Sequence, residues 1–180
     1  MRTSDNRIRA DNQQERLHHI PTDLGHYLAG FADGEGSFNV SVIRRQSDYQ
    51  QGWKIVASFN ISQRDSAILL LFQQTLGCGT IRFRKDGVCY FEVRRLADLD
   101  KKIREFFVRF PLRSGRQAQR LEQLLKVVAV MVAKQHRSSE GFEKILRIRE
   151  LMISNRRRKY QMTDVVQNPQ RLHAKPTRVG

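Results

Sequence analysis

Residues 28–36 read Leu-Ala-Gly-Phe-Ala-Asp-Gly-Glu-Gly, and no other stretch constrains the chain as much. Three glycines and two carboxylates crowd what should be the end of a helix. Glycine weakens a helix interior by about 1 kcal/mol relative to alanine. A carboxylate in the last turn faces the negative end of the helix macrodipole. Such violations of local rules concentrate where packing or function demands them. Upstream, Pro21-Thr22-Asp23 reads as a helix start, with Thr22 or Asp23 as the cap. Leu24, Tyr27, Leu28 and Phe31 follow at i, i+3, i+4 and i+7, which predicts one apolar face. Gly30 and Gly34 lie on its flank. Two readings of that spacing stand: a glycine-rich core helix, or a close contact with another helix that carries Glu35 to the foot of the pair.

After Gly36 the period switches from helical to two. Phe38, Val40 and Val42 alternate with Ser37, Asn39 and Ser41, a half-buried strand. Arg44 to Gly52 is polar and turn-like. Trp53, Ile55, Ala57, Phe59 and Ile61 then alternate with polar residues as a second strand, antiparallel to the first. Asp65 caps a helix over Ala67–Leu76, and Gly77 stops it. Ile81 and Phe83 belong to a third strand, and Cys89, Phe91 and Val93 to a fourth. Asp86-Gly87 is the hairpin signal between them. Asp98–Val108 is an amphipathic helix, Pro111 interrupts the chain, and Arg116–Gln135 is a long helix. A further helix covers Ser139–Ile153, started by Ser138 or Ser139. The expected architecture is α+β, in the order αββαββα. The domain spans residues 21–153, with a basic arm at 1–20 and a basic tail at 154–180.

A four-stranded sheet would put Phe38, Phe59, Phe83 and Phe91 under the helices. Asn39, Ser41, Arg44, Lys54, Arg82, Arg84, Tyr90, Glu92 and Arg94 would then share the other face. An ordinary solvated face accounts for this, as antiparallel sheets often have one. The mixture of long donors and acceptors also fits base-edge reading in a major groove, which a β-ribbon can enter. Charge favours the second reading. The 180 residues hold 33 Lys plus Arg against 18 Asp plus Glu, a net charge of +15, which calls for a polyanionic partner.

Several classes are excluded. No apolar run approaches the roughly 18–20 residues needed to span a bilayer, so no membrane partner is expected. Cys78 and Cys89 are too few for a disulfide framework and lack zinc spacing, which points to an intracellular protein. The first twenty residues carry no apolar segment of the secretory kind.

Taken together, these residues resemble the LAGLIDADG homing endonucleases that carry one copy of the motif. Leu28, Ala29, Gly30, Asp33 and Gly36 match the consensus, Phe31, Ala32, Gly34 and Glu35 are substitutions the family shows, and Ser37-Phe38 fits its flank. The resemblance implies a homodimer through the motif helix, with Gly30, Gly34 and Asp33 at or near the interface. It implies a site-specific double-strand break in a long, roughly palindromic DNA duplex, by an enzyme of intron origin. Glu35 falls at the position that binds a divalent cation, Mg²⁺, beside the scissile phosphate, with the Gly34 carbonyl near the metal. Asp33 falls at the earlier acidic position, which helps to cap the helix end. Gln63, ending Phe59-Asn60-Ile61-Ser62-Gln63, falls where the family orients a water. One departure stands out. The family's lysine after a Pro-Leu pair is absent from Pro111-Leu112-Arg113-Ser114-Gly115-Arg116, and Gly115 occupies its place. Arg116, or Arg113, is left as an electrostatic stabiliser, because a guanidinium with a pKa above ~12 does not serve as a base. Relatives on this scaffold also act as maturases for host intron RNA or as non-cleaving regulators, and both remain as alternatives.

Overall fold

The computed structural model describes residues 19–44 and 52–152, together with Tyr160, Met162 and Val165. The expected arm and most of the expected tail, including Arg156–Lys159, lie outside these residues, as does most of the Arg44–Gly52 turn. The elements are α1 (Thr22–Glu35), β1 (Gly36–Arg44), β2 (Trp53–Gln63), α2 (Ala67–Leu76), β3 (Thr80–Phe83) and β4 (Cys89–Val93). There follow α3 (Leu96–Asp98), a π-helical turn (Leu99–Ile103), α4 (Arg104–Arg109), α5 (Gly115–Val132), a 3₁₀ turn (Gln135–Arg137) and α6 (Ser139–Leu151). The order agrees with the alternation read from the sequence.

The four strands form one antiparallel sheet in the order β1-β2-β4-β3. Its inner face builds the core. Phe38 stacks on Phe59 at 5.0 Å between centroids, Phe72 of α2 stacks on Phe91 at 5.9 Å, and Phe107 of α4 meets Phe59 edge-on at 5.7 Å. Such pairs add roughly 0.5–1.5 kcal/mol each beyond their buried area. Phe83 shares this face by its pairing with Cys89, yet it is 72% exposed. It sits on the edge strand, so the inward direction there does not bring burial.

Local chemistry sets the ends of most elements. Asp65 Oδ1 accepts from Ala67 N at 2.8 Å, Gly77 ends α2 in the left-handed region at φ 59°, and Ser138 Oγ accepts from Gly141 N at 3.1 Å. The β3–β4 hairpin closes through Arg84 N to Val88 O at 2.9 Å, with Gly87 at φ 78°.

Three expectations need correction. Neither Thr22 nor Asp23 caps α1: Pro21 holds the cap position, and its carbonyl accepts from Gly25 N at 2.9 Å. Proline suits this place because its fixed φ leads into the helix. The buried residues of α1 are Gly25, Leu28, Ala29 and Ala32, whereas Tyr27 is 56% exposed. The helix therefore buries the face that carries Gly25, Leu28, Ala29 and Ala32. Gly25 is in contact with the Phe110 ring, where a Cβ would overlap it. The helix read over 98–108 runs from Leu96 to Arg109 and is widened by the π turn. There the consecutive residues Lys102 and Ile103 are both buried. Lys102 Nζ donates to the Gly77 carbonyl at 2.6 Å and lies 3.6 Å from Asp98, so its charge compensates the carboxyl end of α2.

Candidate nucleic-acid interface and active site

The junction of α1 with β1 carries the candidate chemistry. Glu35 is the last residue of α1 and is exposed. The next residue, Gly36, starts β1, is buried, and sends its N–H back to the Ala32 carbonyl. A Cβ on Gly36 would overlap that same carbonyl oxygen, so only glycine lets the helix turn directly into the strand.

Helix α5 braces this junction from the side. Asp33 Oδ2 accepts from Arg113 N at 2.7 Å and Ser114 N at 2.9 Å. In return, Gln117 Nε2 donates to the Asp33 carbonyl at 3.2 Å and the Gly36 carbonyl at 2.8 Å. Ser114 Oγ accepts from Gln117 N at 3.4 Å as the N-cap of α5. Asp33 thus caps a helix end, but the end is the start of α5 and not that of its own helix. Gln117, 8% exposed, was not singled out from the sequence. The one signal for it is a glutamine one residue after the expected helix start at Arg116, which is common on solvated surfaces.

The other expected residues lie at the end of β2 and the start of α5. Gly36 pairs with Ile61, so the end of β2 at Gln63 runs past the Glu35 position. Gln63 pairs in turn with Cys89. Arg116 lies in the first turn of α5, next to Gln117, and is exposed. Arg113 lends its backbone amide to Asp33. Glu35 ends α1, Gln63 ends β2 and Arg116 lies in the first turn of α5, three elements that are far apart in sequence.

On α1, Gly30 and Gly34 are exposed, and a Cβ built on either meets nothing within 4 Å. With Tyr27 they form an open strip of low relief along the helix, ending at Glu35.

The outer face of the sheet is polar and basic. Pairing of Asn39 with Ser58, Ile43 with Lys54, Asn60 with Glu92 and Ser62 with Tyr90 places these residues on one side. Ser41, Arg82 and Arg84 join them by alternation, and so does Arg94. Arg44 does not, since it pairs with the buried Trp53 and takes the inner-face parity. Arg82 lies 3.8 Å and Arg94 2.8 Å from Glu92, the one acid among these residues. Arg84 donates to the Tyr90 hydroxyl at 2.8 Å and lies 3.0 Å from Asp86. An exposed pair such as Arg84–Asp86 adds little to stability, so its effect is to orient the guanidinium. Asn39 Nδ2 donates to Ser37 Oγ at 2.9 Å.

A basic antiparallel sheet is thus backed by helices, and the helix that leads into it ends at an exposed carboxylate. The sequence pattern of the LAGLIDADG endonucleases matches residues 28–128, and the chain belongs to that family. DNA endonuclease I-CvuI of Chlorella vulgaris is 39% identical over 67 residues, covering 36% of this chain and 41% of that protein. The chain thus spans less than half the length of that relative. Among solved structures, the homing endonuclease I-TnaI superposes with a TM-score of 0.67 at 30% identity, covering 73% of this chain and 89% of that one. The I-LtrWI LAGLIDADG homing endonuclease bound to target DNA gives a TM-score of 0.69 at 28% identity, covering 77% and 46%. Among the described residues no helix is long and apolar enough to cross a membrane.

Proposed function

We propose that this chain is a homing endonuclease of intron origin. It works as a homodimer and makes a sequence-specific double-strand break in a long, roughly palindromic DNA duplex. The observation that carries the reading is the exposed Glu35 at the end of a helix whose glycine strip is open. One copy of the motif supplies one carboxylate. Two-fold pairing along Gly30 and Gly34 would bring two such carboxylates to the two strands, and the symmetry of the protein would be mirrored in its site.

The donor set suits a hard cation such as Mg²⁺. Asp33 spends Oδ2 on Arg113 and Ser114, and no cluster of three His, Cys, Asp or Glu side chains exists among the described residues. Glu35 and the Gly34 carbonyl, which the resemblance puts at the metal, would be the protein ligands. That is enough for an ion that keeps several waters and takes phosphate oxygens. When bound, it lowers the pKa of water and neutralises charge at the phosphate. Glu35 holds the ion against the strand. Gln63 orients a water through its side-chain amide. Arg116 offsets charge on the phosphate. Asn39, Ser41, Lys54, Arg82, Arg84, Tyr90, Glu92 and Arg94 read the groove, with Arg and Lys also meeting phosphates.

Glu35→Gln is the test, on a duplex recovered by binding selection from a randomised pool. Cleavage should disappear while binding persists; cutting at the wild-type rate would remove Glu35 from the chemistry. One observation favours a second reading. Gly115 stands where the family has a lysine, which suits a DNA-binding regulator or an intron RNA maturase on the same scaffold. A wild-type chain that binds the duplex with Mg²⁺ present and never cuts it would favour that reading.

A further inference from the structure

We propose that Gln117 is a positioning residue for Glu35, acting through the backbone on both sides of it. The inference rests on Glu35 being the metal-binding carboxylate. Glu35 lies between Gly34 and Gly36, two residues whose own backbones have little intrinsic preference for one conformation. The Asp33 and Gly36 carbonyls bracket Gly34 and Glu35, and Gln117 Nε2 donates to both, at 3.2 and 2.8 Å. One buried amide therefore spans the turn that carries the carboxylate and the Gly34 carbonyl.

The orientation of that amide is set. Gln117 Oε1 is buried with no hydrogen-bond partner among the described residues. Rotating the amide by half a turn would press this oxygen against two carbonyl oxygens. The fold leaves one acceptor unsatisfied and keeps the donor on the turn. The backbone of Gln117 is tied to the same junction, because its N–H reaches the Oγ of Ser114, whose own N–H is held by Asp33. The brace thus links the carboxylate turn to the first turn of α5, where Arg116 sits. A change in the α5 end would be felt at Glu35 through this amide.

Gln117→Met keeps the side-chain length and removes the donor. Partners that orient a metal ligand typically change metal affinity 10–100-fold when lost. The half-saturating Mg²⁺ for cleavage should therefore rise about tenfold or more, with duplex affinity in metal-free buffer held within about twofold. Amide hydrogen exchange should accelerate in the segment 33–36 and not across the sheet. An unchanged Mg²⁺ requirement with unchanged local exchange overturns the proposal. If Glu35→Gln still cuts, the reading of Glu35 fails instead, so the two failures are separable. Should Gln117→Met not fold, Gln117→Glu decides. A protonated carboxyl can donate to one carbonyl and an ionised one cannot. Its cleavage rate relative to wild type should recover as pH falls through the carboxyl range, and a flat ratio counts against the brace.

Discussion

Asp33 and Gln117 close each other's helices: the Asp33 carboxylate accepts from the amides that open α5, and the Gln117 amide donates to carbonyls at the end of α1. Orphan groups at two helix ends are satisfied by one reciprocal exchange. Glu35 stands at the centre of it.

Asp33→Ala should destabilise the fold by about 2 kcal/mol, the cost of losing a charged acceptor that serves two amides. Asp33→Asn keeps an acceptor and should lose less than ~1 kcal/mol by the same reasoning. Urea denaturation of both variants checks this. Equal losses would mean that the charge and the two amide bonds carry no weight.

The glycines of the motif should separate into two kinds. Gly36→Ala should cost about 1–3 kcal/mol as an overpacked site, because its Cβ overlaps the Ala32 carbonyl oxygen. Gly30→Leu and Gly34→Leu meet open space in the single chain. Leucine also favours a helix over glycine by up to ~1 kcal/mol, so the folded monomer should hold. Dimerisation should not. Sedimentation velocity reads the second effect and thermal melting the first. A dimer that survives Gly34→Leu would place the interface elsewhere.

Duplex binding should weaken steeply with salt. Arg82→Ala and Arg94→Ala should each reduce the slope of log affinity against log salt by about 1 where the arginine meets a phosphate. Where it reads a base, the slope stays and preference at one position relaxes. Anisotropy titrations at several salt concentrations separate the two roles.

Burial, with the charge of Asp98 as a smaller contribution, pushes the Cys78 thiol up to about 12, against an opposing effect of Lys102. The folded state holds this proton after the unfolded chain has released it near 9. The stabilisation is therefore complete below the unfolded value and is lost as pH rises from about 9 toward 12. Native protein should resist alkylation of Cys78 at pH 8. Cys78→Ala should flatten the alkaline limb of the stability curve measured by denaturation. A limb with the same slope in both proteins would assign the loss to other groups.

Much of the molecule was legible as pattern. The period-two runs at Phe38–Val42 and Trp53–Ile61, the Asp86-Gly87 turn and the Gly77 stop report local geometry, and local geometry follows from nearest neighbours. The misreadings came where a residue's fate depends on what lies across space. Tyr27 occupies an apolar position by spacing but faces solvent, because Phe110 packs against Gly25 instead. Phe83 points inward on an edge strand with little to cover it. Arg44 is a different case, since it shares the parity of Phe38, Val40 and Val42 and the period-two alternation alone puts it on the inner face.

By itself, the sequence determined the order of elements, the strand that follows the motif, the basic partner surface and the acid at the helix end. Each is written in short-range periodicity or in charge. Only the tertiary structure decided what Asp33 and Gln117 do. The partners they find across the junction lie eighty or more positions away, and a hydrogen bond is made between atoms that the fold brings within about 3 Å, whatever their separation along the chain.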